Sequence, residues 1–188
     1  KKYNYERFLS PLKIKDFEIP TYIVPIKPHW AEQLFNDRSL EKLALFEPEY
    51  ELLLNRENVY YRSSNPKVLS APSRILWYLS QNKTTREKGS IIASSYIDEL
   101  FIDSPKKLFK QFEKLGIYKW KDVKETAGNK EKIMAFVFSD TELFKRPIPL
   151  VKICKELEMI ENKKFMIVAP LKIKRETYLA LYKLGIDL

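Results

Sequence analysis

The 188-residue sequence has one histidine, one cysteine and four glycines. With so little glycine, a glycine-rich phosphate cradle is excluded. Cys154 cannot form an internal disulfide, and together with His29 it cannot build a structural zinc site. Any Ser-His-Asp or Cys-His arrangement would have to use His29. That residue stands between Pro28 and Trp30 at the expected start of a helix, where capping or packing is its simpler role. Cys154 falls inside an amphipathic helical pattern and reads as a small buried hydrophobe. No metal and no cofactor is expected. No apolar run approaches the roughly 18–20 residues of a spanning helix, and no signal-peptide pattern opens the chain. A reducing, cytoplasmic setting without membrane is the expectation. The chain opens on Lys1-Lys2-Tyr3 without a methionine, which reads as the cut-out end of a longer protein.

What is abundant is positive charge and aromatic surface. The formal net charge is +9, from 34 Lys and Arg against 25 Asp and Glu. Such a surplus favours polyanionic partners, because each neutralised phosphate releases condensed counterions. Eleven Phe, eleven Tyr and three Trp make a high aromatic share of 13%, more than the core is expected to take up in full. Some rings are therefore free to line a pocket.

Residues 1–17 show no clear periodicity and read as a leading segment or linker before a domain at 18–188. Phe17 to Lys27 is β-branched and apolar, and Pro20 and Pro25 predict an edge strand. Pro28 to Asn36 reads as a short helix, and a second helix is expected to end in Tyr50 to Leu54. Asn58–Ser63, Arg74–Ser80, Gly89–Ile102 and Lys132–Ser139 are predicted to be strands of one curved sheet or barrel, from their β-branched and aromatic content. Arg74 to Ser80 is almost continuously apolar, as in a buried strand. Between two of these strands, Gln81 to Lys88 is polar and basic, as in an exposed hairpin tip. Ser104 to Gly116 carries the best helix signals: Ser104 as N-cap, Pro105 at the first position, and Gly116 where a left-handed cap belongs. Leu108, Phe109, Phe112 and Leu115 would be its buried stripe. Trp120 to Ala127 is read as a further helical turn or two, and 127–130 as a turn. Leu150–Met159 reads as a helix, Lys164–Val168 as a last strand, and Ile173–Leu184 as a closing helix with Gly185 just beyond. Strands interrupted by helices without regular βαβ alternation indicate a mixed α+β domain.

The stretch Leu52 to Ser80 resembles the ASCH branch of the PUA-like superfamily, whose relatives include EVE and YTH-type readers. It runs from Leu-Leu-Leu-Asn-Arg-Glu-Asn-Val-Tyr-Tyr-Arg-Ser through a polar loop to Arg-Ile-Leu-Trp-Tyr-Leu-Ser. In that family a helix ends in a basic or glycine-containing turn. A strand ending in Glu-x-Arg follows, then a loop and a strand closing on a small polar residue. By position Arg56 matches the turn residue, Arg62 the strand arginine, and Ser80 the end of the next strand. Where the family's strand has its carboxylate this sequence has Tyr60, and the nearest acid is Glu57. The segment Met134 to Phe144 looks like a subgroup feature of domains that stand behind an acetyltransferase-like or toxin-like domain. The resemblance implies an α+β, PUA-like (ASCH-like) curved β-barrel with flanking helices.

The expected function is a nucleic-acid-binding module, for RNA and with a modified base as a candidate target. Its cleft would be aromatic-walled, with basic side chains holding phosphates. Trp77 with Tyr60 or Tyr61 would form the wall. Arg56, Arg62, Arg74 and Ser80 would border it, while Lys83, Arg86 and Lys88 of the hairpin tip and the lysines of 106–114 would track phosphates. One alternative is a ribonuclease or nucleoside amidohydrolase of the same fold, with Glu57 or Asp98 as base and Lys67 or Arg62 as electrostatic stabiliser. Another is a regulatory protein-binding domain of a larger enzyme.

Overall fold

The computed structural model describes residues 2–35, 56–80, 89–164 and 168–186. Within them the helices are α1 (Lys2–Phe8), α2 (Pro28–Phe35), α3 (Pro105–Phe112), α4 (Trp120–Ala127), α5 (Leu150–Glu161) and α6 (Arg175–Ile186). The strands are β1 (Thr21–Ile26), β2 (Glu57–Ser63), β3 (Ser73–Leu79), β4 (Ser90–Asp103), β5 (Ile133–Pro149) and β6 (Leu171–Ile173). No helix among the described residues is long and apolar enough to cross a membrane. The expected helix end at Tyr50–Leu54 and the hairpin tip with Lys83, Arg86 and Lys88 lie outside the described residues, as does most of the expected strand at Lys164–Val168.

The six strands form one mixed sheet in the order β2-β5-β4-β3-β1-β6. The four segments expected to share a sheet do so. Among the described residues the ladder ends at β2 and β6 and does not close into a barrel. It is nevertheless strongly curled. β2 and β1 are four strand spacings apart, which in a flat sheet would be about 19 Å. Yet the Tyr60 hydroxyl comes within 3.5 Å of the Pro25 carbonyl. Breaks in register along β4–β5, between Ile91 and Ala93, Ser94 and Tyr96, and Ile97 and Glu99, supply the bend.

Both sheet faces are covered, which explains the unbroken apolar run in β3. Ile75 and Trp77 enter the core on the concave face with Tyr60, Phe136 and Phe138. Leu76 and Tyr78 enter a second core under α5 and α6 with Ile153, Leu157, Tyr178 and Leu181. β1 is an interior strand rather than the edge its prolines predicted. It pairs in parallel with β3 along its whole length, while β6 pairs only with Thr21–Ile23. Pro25 thus lies beyond the short strand β6, on the stretch where no donor is required.

Three boundaries depart from the sequence reading. β5 runs ten residues past Ser139, turning at Asp140, whose φ of 49° is left-handed. α3 ends at Phe112, and Gly116 supplies a close approach instead of a left-handed cap: a Cβ there would lie 2.6 Å from Val59 Cγ1. Gly185 falls inside α6 and lets that helix press on β5, since its Cβ would stand 2.3 Å from the Phe144 ring. Gly185→Ala is therefore expected to cost about 1–3 kcal/mol through overpacking. A urea midpoint unchanged from the parent would contradict this.

The leading segment is an integral layer. α1 inserts Glu6 against β3, where its carboxylate accepts from Arg74 Nε at 2.6 Å and forms an ion pair with Arg74 Nη2. Tyr96 donates its hydroxyl to Glu6 at 3.0 Å, and the Ile14 amide donates to it at 2.8 Å. Both charged side chains are 0% exposed. The Arg74 guanidinium also lies 4.8 Å from the centre of the Tyr178 ring.

Candidate nucleic-acid interface

On the concave face, β2 alternates Tyr60 and Arg62 towards the sheet interior with Val59, Tyr61 and Ser63 towards α3 and α4. Tyr60 meets Trp77 edge-on at 5.3 Å and Phe136 at 5.5 Å, while Tyr61 donates its hydroxyl to the Leu108 carbonyl at 3.3 Å. Burial pushes the Tyr60 phenol up to about 12, so it stays neutral. Arg62 stands at the rim of this aromatic wall, half-buried. Burial draws its guanidinium downward and the neighbouring Tyr60 partly offsets this. Its Nη1 is buried and has no hydrogen-bond partner among the described residues.

Two of the expected contact residues are placed elsewhere. Trp77 is 0% exposed, ringed by Phe35, Tyr60, Phe136 and Phe138, with its indole N–H donated to Ser95 Oγ at 2.8 Å. It offers no open face on which a base could stack. Arg74 is consumed by Glu6 in the core and cannot reach a phosphate. The physical reason is common to both: β3 is a central strand covered on both faces. Tyr60 and Tyr61 are buried, and only their surroundings touch the surface. Arg56 is exposed and donates to Asp140 at 2.7 Å, Ser80 is half-buried with its amide donated to Ile26, and Lys83, Arg86 and Lys88 are not described.

The residues named for a hydrolytic site do not converge. Glu57 and Arg62 sit at opposite ends of β2, about 16 Å apart along the strand. Arg7 from α1 reaches Glu57, Asp98 and Asp140 at 2.9, 2.9 and 3.2 Å, so both proposed bases are held in ion pairs. Burial raises Asp98 above the usual carboxylate range, against the pull of Tyr3, Ser139 and Arg7. Lys67 is exposed in the loop after β2.

A surface of which the sequence reading singled out only the lysines of 106–114 lies beside the Arg62 end of β2. α4 packs on β2 and α3 packs on α4. Trp120, at the first position of α4, is 41% exposed and leans on Phe109 of α3 at 5.5 Å. Lys119 and Lys121 flank it, and Lys106, Lys110 and Lys114 line the exposed side of α3 and the turn after it, opposite buried Leu108. Lys130 donates to Ser63 Oγ at 2.7 Å, which places its ammonium over the end of β2 next to Arg62. Between Phe101 and Lys132 nine lysines face five acids, and only Lys107 is held in an ion pair among the described residues. Spacing places Trp120 on the same stripe as buried Val123 and Ala127 and so conceals it. Its exposure comes from its place at the first position of α4, where its ring meets Phe109 of α3.

No model of a known protein family and no curated protein matches the sequence. Solved structures do match the fold. The ASCH protein of Zymomonas mobilis superposes with a TM-score of 0.62 at 16% identity, covering 87% of this chain and 94% of that one. A hypothetical protein of Leishmania major gives 0.52 at 12% identity, covering 90% and 96%. A protein from Pseudomonas syringae gives 0.52 at 13% identity, covering 88% and 99%. The likeness extends over nearly the whole of each partner and agrees with the resemblance in Leu52–Ser80. In fold, then, the chain is similar to the ASCH protein of Zymomonas mobilis over most of both chains.

Proposed function

We propose that the chain is a nucleic-acid-binding module that takes single-stranded or structured RNA along the face made by α3, α4 and the Arg62 end of β2. The observation that carries this reading is Trp120, an exposed indole flanked by Lys119 and Lys121 on a lysine-rich face. Stacking on such a ring needs an unstacked base, so single-stranded segments and loops suit it better than a duplex interior. The lysines hold the backbone without regard to sequence.

Binding of a fluorescent single-stranded RNA, with DNA of the same sequence alongside, tests the reading across a salt series. Trp120→Ala is expected to weaken binding about tenfold to a hundredfold, since stacking is worth about 1–3 kcal/mol per base, without moving the melting temperature. Removing Lys106, Lys110 and Lys121 together should lower the affinity for every sequence alike. For each phosphate no longer neutralised, the log–log salt slope should also flatten by about one. A salt slope that stays unchanged in this triple variant removes the face as the binding surface.

A further inference from the structure

Helix α1 is amphipathic in the inverse sense. Its inner face is polar: Glu6 is buried in the ion pair with Arg74, and Arg7 holds Glu57, Asp98 and Asp140. Its outer face is apolar. Tyr5, Phe8 and Leu9 follow the i, i+3, i+4 spacing of one helical stripe. Leu12 stands in the turn that continues it, its amide donated to the Leu9 carbonyl at 3.0 Å. The exposures of Tyr5, Phe8, Leu9 and Leu12 are 65%, 85%, 42% and 65%. Four of the ten exposed large hydrophobics among the described residues thus fall within eight positions. We propose that this stripe is the interface through which two copies of the chain pair about a twofold axis, α1 against α1.

The stripe cannot be withdrawn by rotating the helix. Turning it inward would carry Glu6 out of the core, leave Arg74 without its counter-charge and break the three ion pairs of Arg7. The fold's own polar anchoring therefore holds these apolar groups in water, a cost that a covering surface removes.

Area and symmetry select the occupant. Phe and Tyr side chains carry about 150–250 Å² each and leucine somewhat less, so the exposed fractions amount to roughly 450 Å². Two stripes face to face remove about 900 Å² from water, and their surroundings bring the total near the ~1,000 Å² at which specific interfaces begin. The chain's own surface thus supplies what a weak dimer needs. One straight stripe is also self-complementary across a twofold axis, which places its midpoint, Phe8 and Leu9, at the axis. Exposed charges on α1 and the loop after it are of both signs, Lys2 and Lys15 against Asp16 and Glu18. That mixture suits a second protein surface rather than an anionic membrane or a nucleic acid. α1 meets the Glu57 end of β2, away from Arg62. Pairing therefore leaves the lysine-rich face open and does not depend on the RNA reading.

The test is sedimentation equilibrium of the whole chain without nucleic acid, from micromolar to millimolar concentration and across a salt series. The average mass is expected to rise towards twice that of the single chain. Each copy carries a net charge of +9, so salt should strengthen pairing by screening the repulsion, opposite to its effect on RNA binding. Phe8→Glu puts a charge from each copy at the axis and should weaken association about a hundredfold. Its melting temperature in dilute solution and its affinity for a short RNA should stay those of the parent, since Phe8 is almost free of contacts within one chain. Met159→Glu, at an equally exposed position on α5, should leave pairing unchanged. In a Cys154→Ser background, Leu9→Cys should form a disulfide-linked dimer under mild oxidation and Val151→Cys should not. A chain that stays monomeric into the millimolar range, undiminished pairing in Phe8→Glu, or equal cross-linking of the two cysteine variants would overturn the assignment. So would a monomer that cosediments with anionic phospholipid vesicles through Phe8, which would give the stripe to a membrane surface.

Discussion

Trp77→Ala is expected to lower the unfolding free energy by about 3–5 kcal/mol, the range for deleting a fully buried large aromatic side chain. Its ring is enclosed by four aromatic side chains, and its N–H is tied to Ser95, which in turn lies 2.7 Å from Thr141. Truncation would leave a cavity and strip Ser95 of that partner. In a domain of this size a loss of that order lowers the melting temperature by about 6–20 °C. Nucleic-acid affinity of the fraction that remains folded should be unchanged, in contrast to Trp120→Ala, which should lose affinity and keep stability. Thermal melts and RNA binding measured on both variants test the two placements together. A Trp77→Ala protein of parental stability with weakened binding would return the stacking role to Trp77 and refute the buried assignment.

The second large effect is expected at the Glu6–Arg74 pair. Glu6→Gln keeps the shape of the side chain but leaves a guanidinium in the core without its counter-charge, a change that costs about 3–5 kcal/mol when both partners are desolvated. Arg74→Met strands the carboxylate instead, leaving it the hydrogen bonds from Tyr96 and the Ile14 amide. The double variant Glu6→Leu, Arg74→Met removes both charges and should recover most of the loss, because matched apolar side chains substitute well for buried ion pairs. A double-mutant cycle in urea measures the coupling. Because Glu6 is the inward-facing acid of α1, the single variants should also expose residues 2–17 to protease before the sheet unfolds. Additive effects in the cycle, or a leading segment no easier to cleave, would show that the pair does not anchor α1.

Much of the fold could be read along the chain. Period-two and continuously apolar runs marked β2, β3, β4 and the first half of β5, because a strand's pattern is a local consequence of which faces are covered. The helices α2, α3, α4, α5 and α6 were marked by their apolar spacing and by terminal residues such as Pro105. The second half of β5 escaped because a left-handed residue at Asp140 interrupts the alternation that the eye follows.

The site was less legible, for a reason visible in β3. An apolar run with both neighbours hydrophobic already states that two faces are buried, so Trp77 belonged to the core by the same signal that identified the strand. The sequence could not place Arg74, whose answering acid lies 68 positions away on a segment without periodicity. Nor could it expose Trp120, which spacing assigns to a buried stripe. Composition alone determined that the chain is basic, rich in aromatic rings and poor in the residues that make metal or nucleophile sites. Which rings face solvent and which arginines are already neutralised were decided by tertiary structure. Exposure and charge pairing depend on what packs across from a residue, and that partner is distant in sequence.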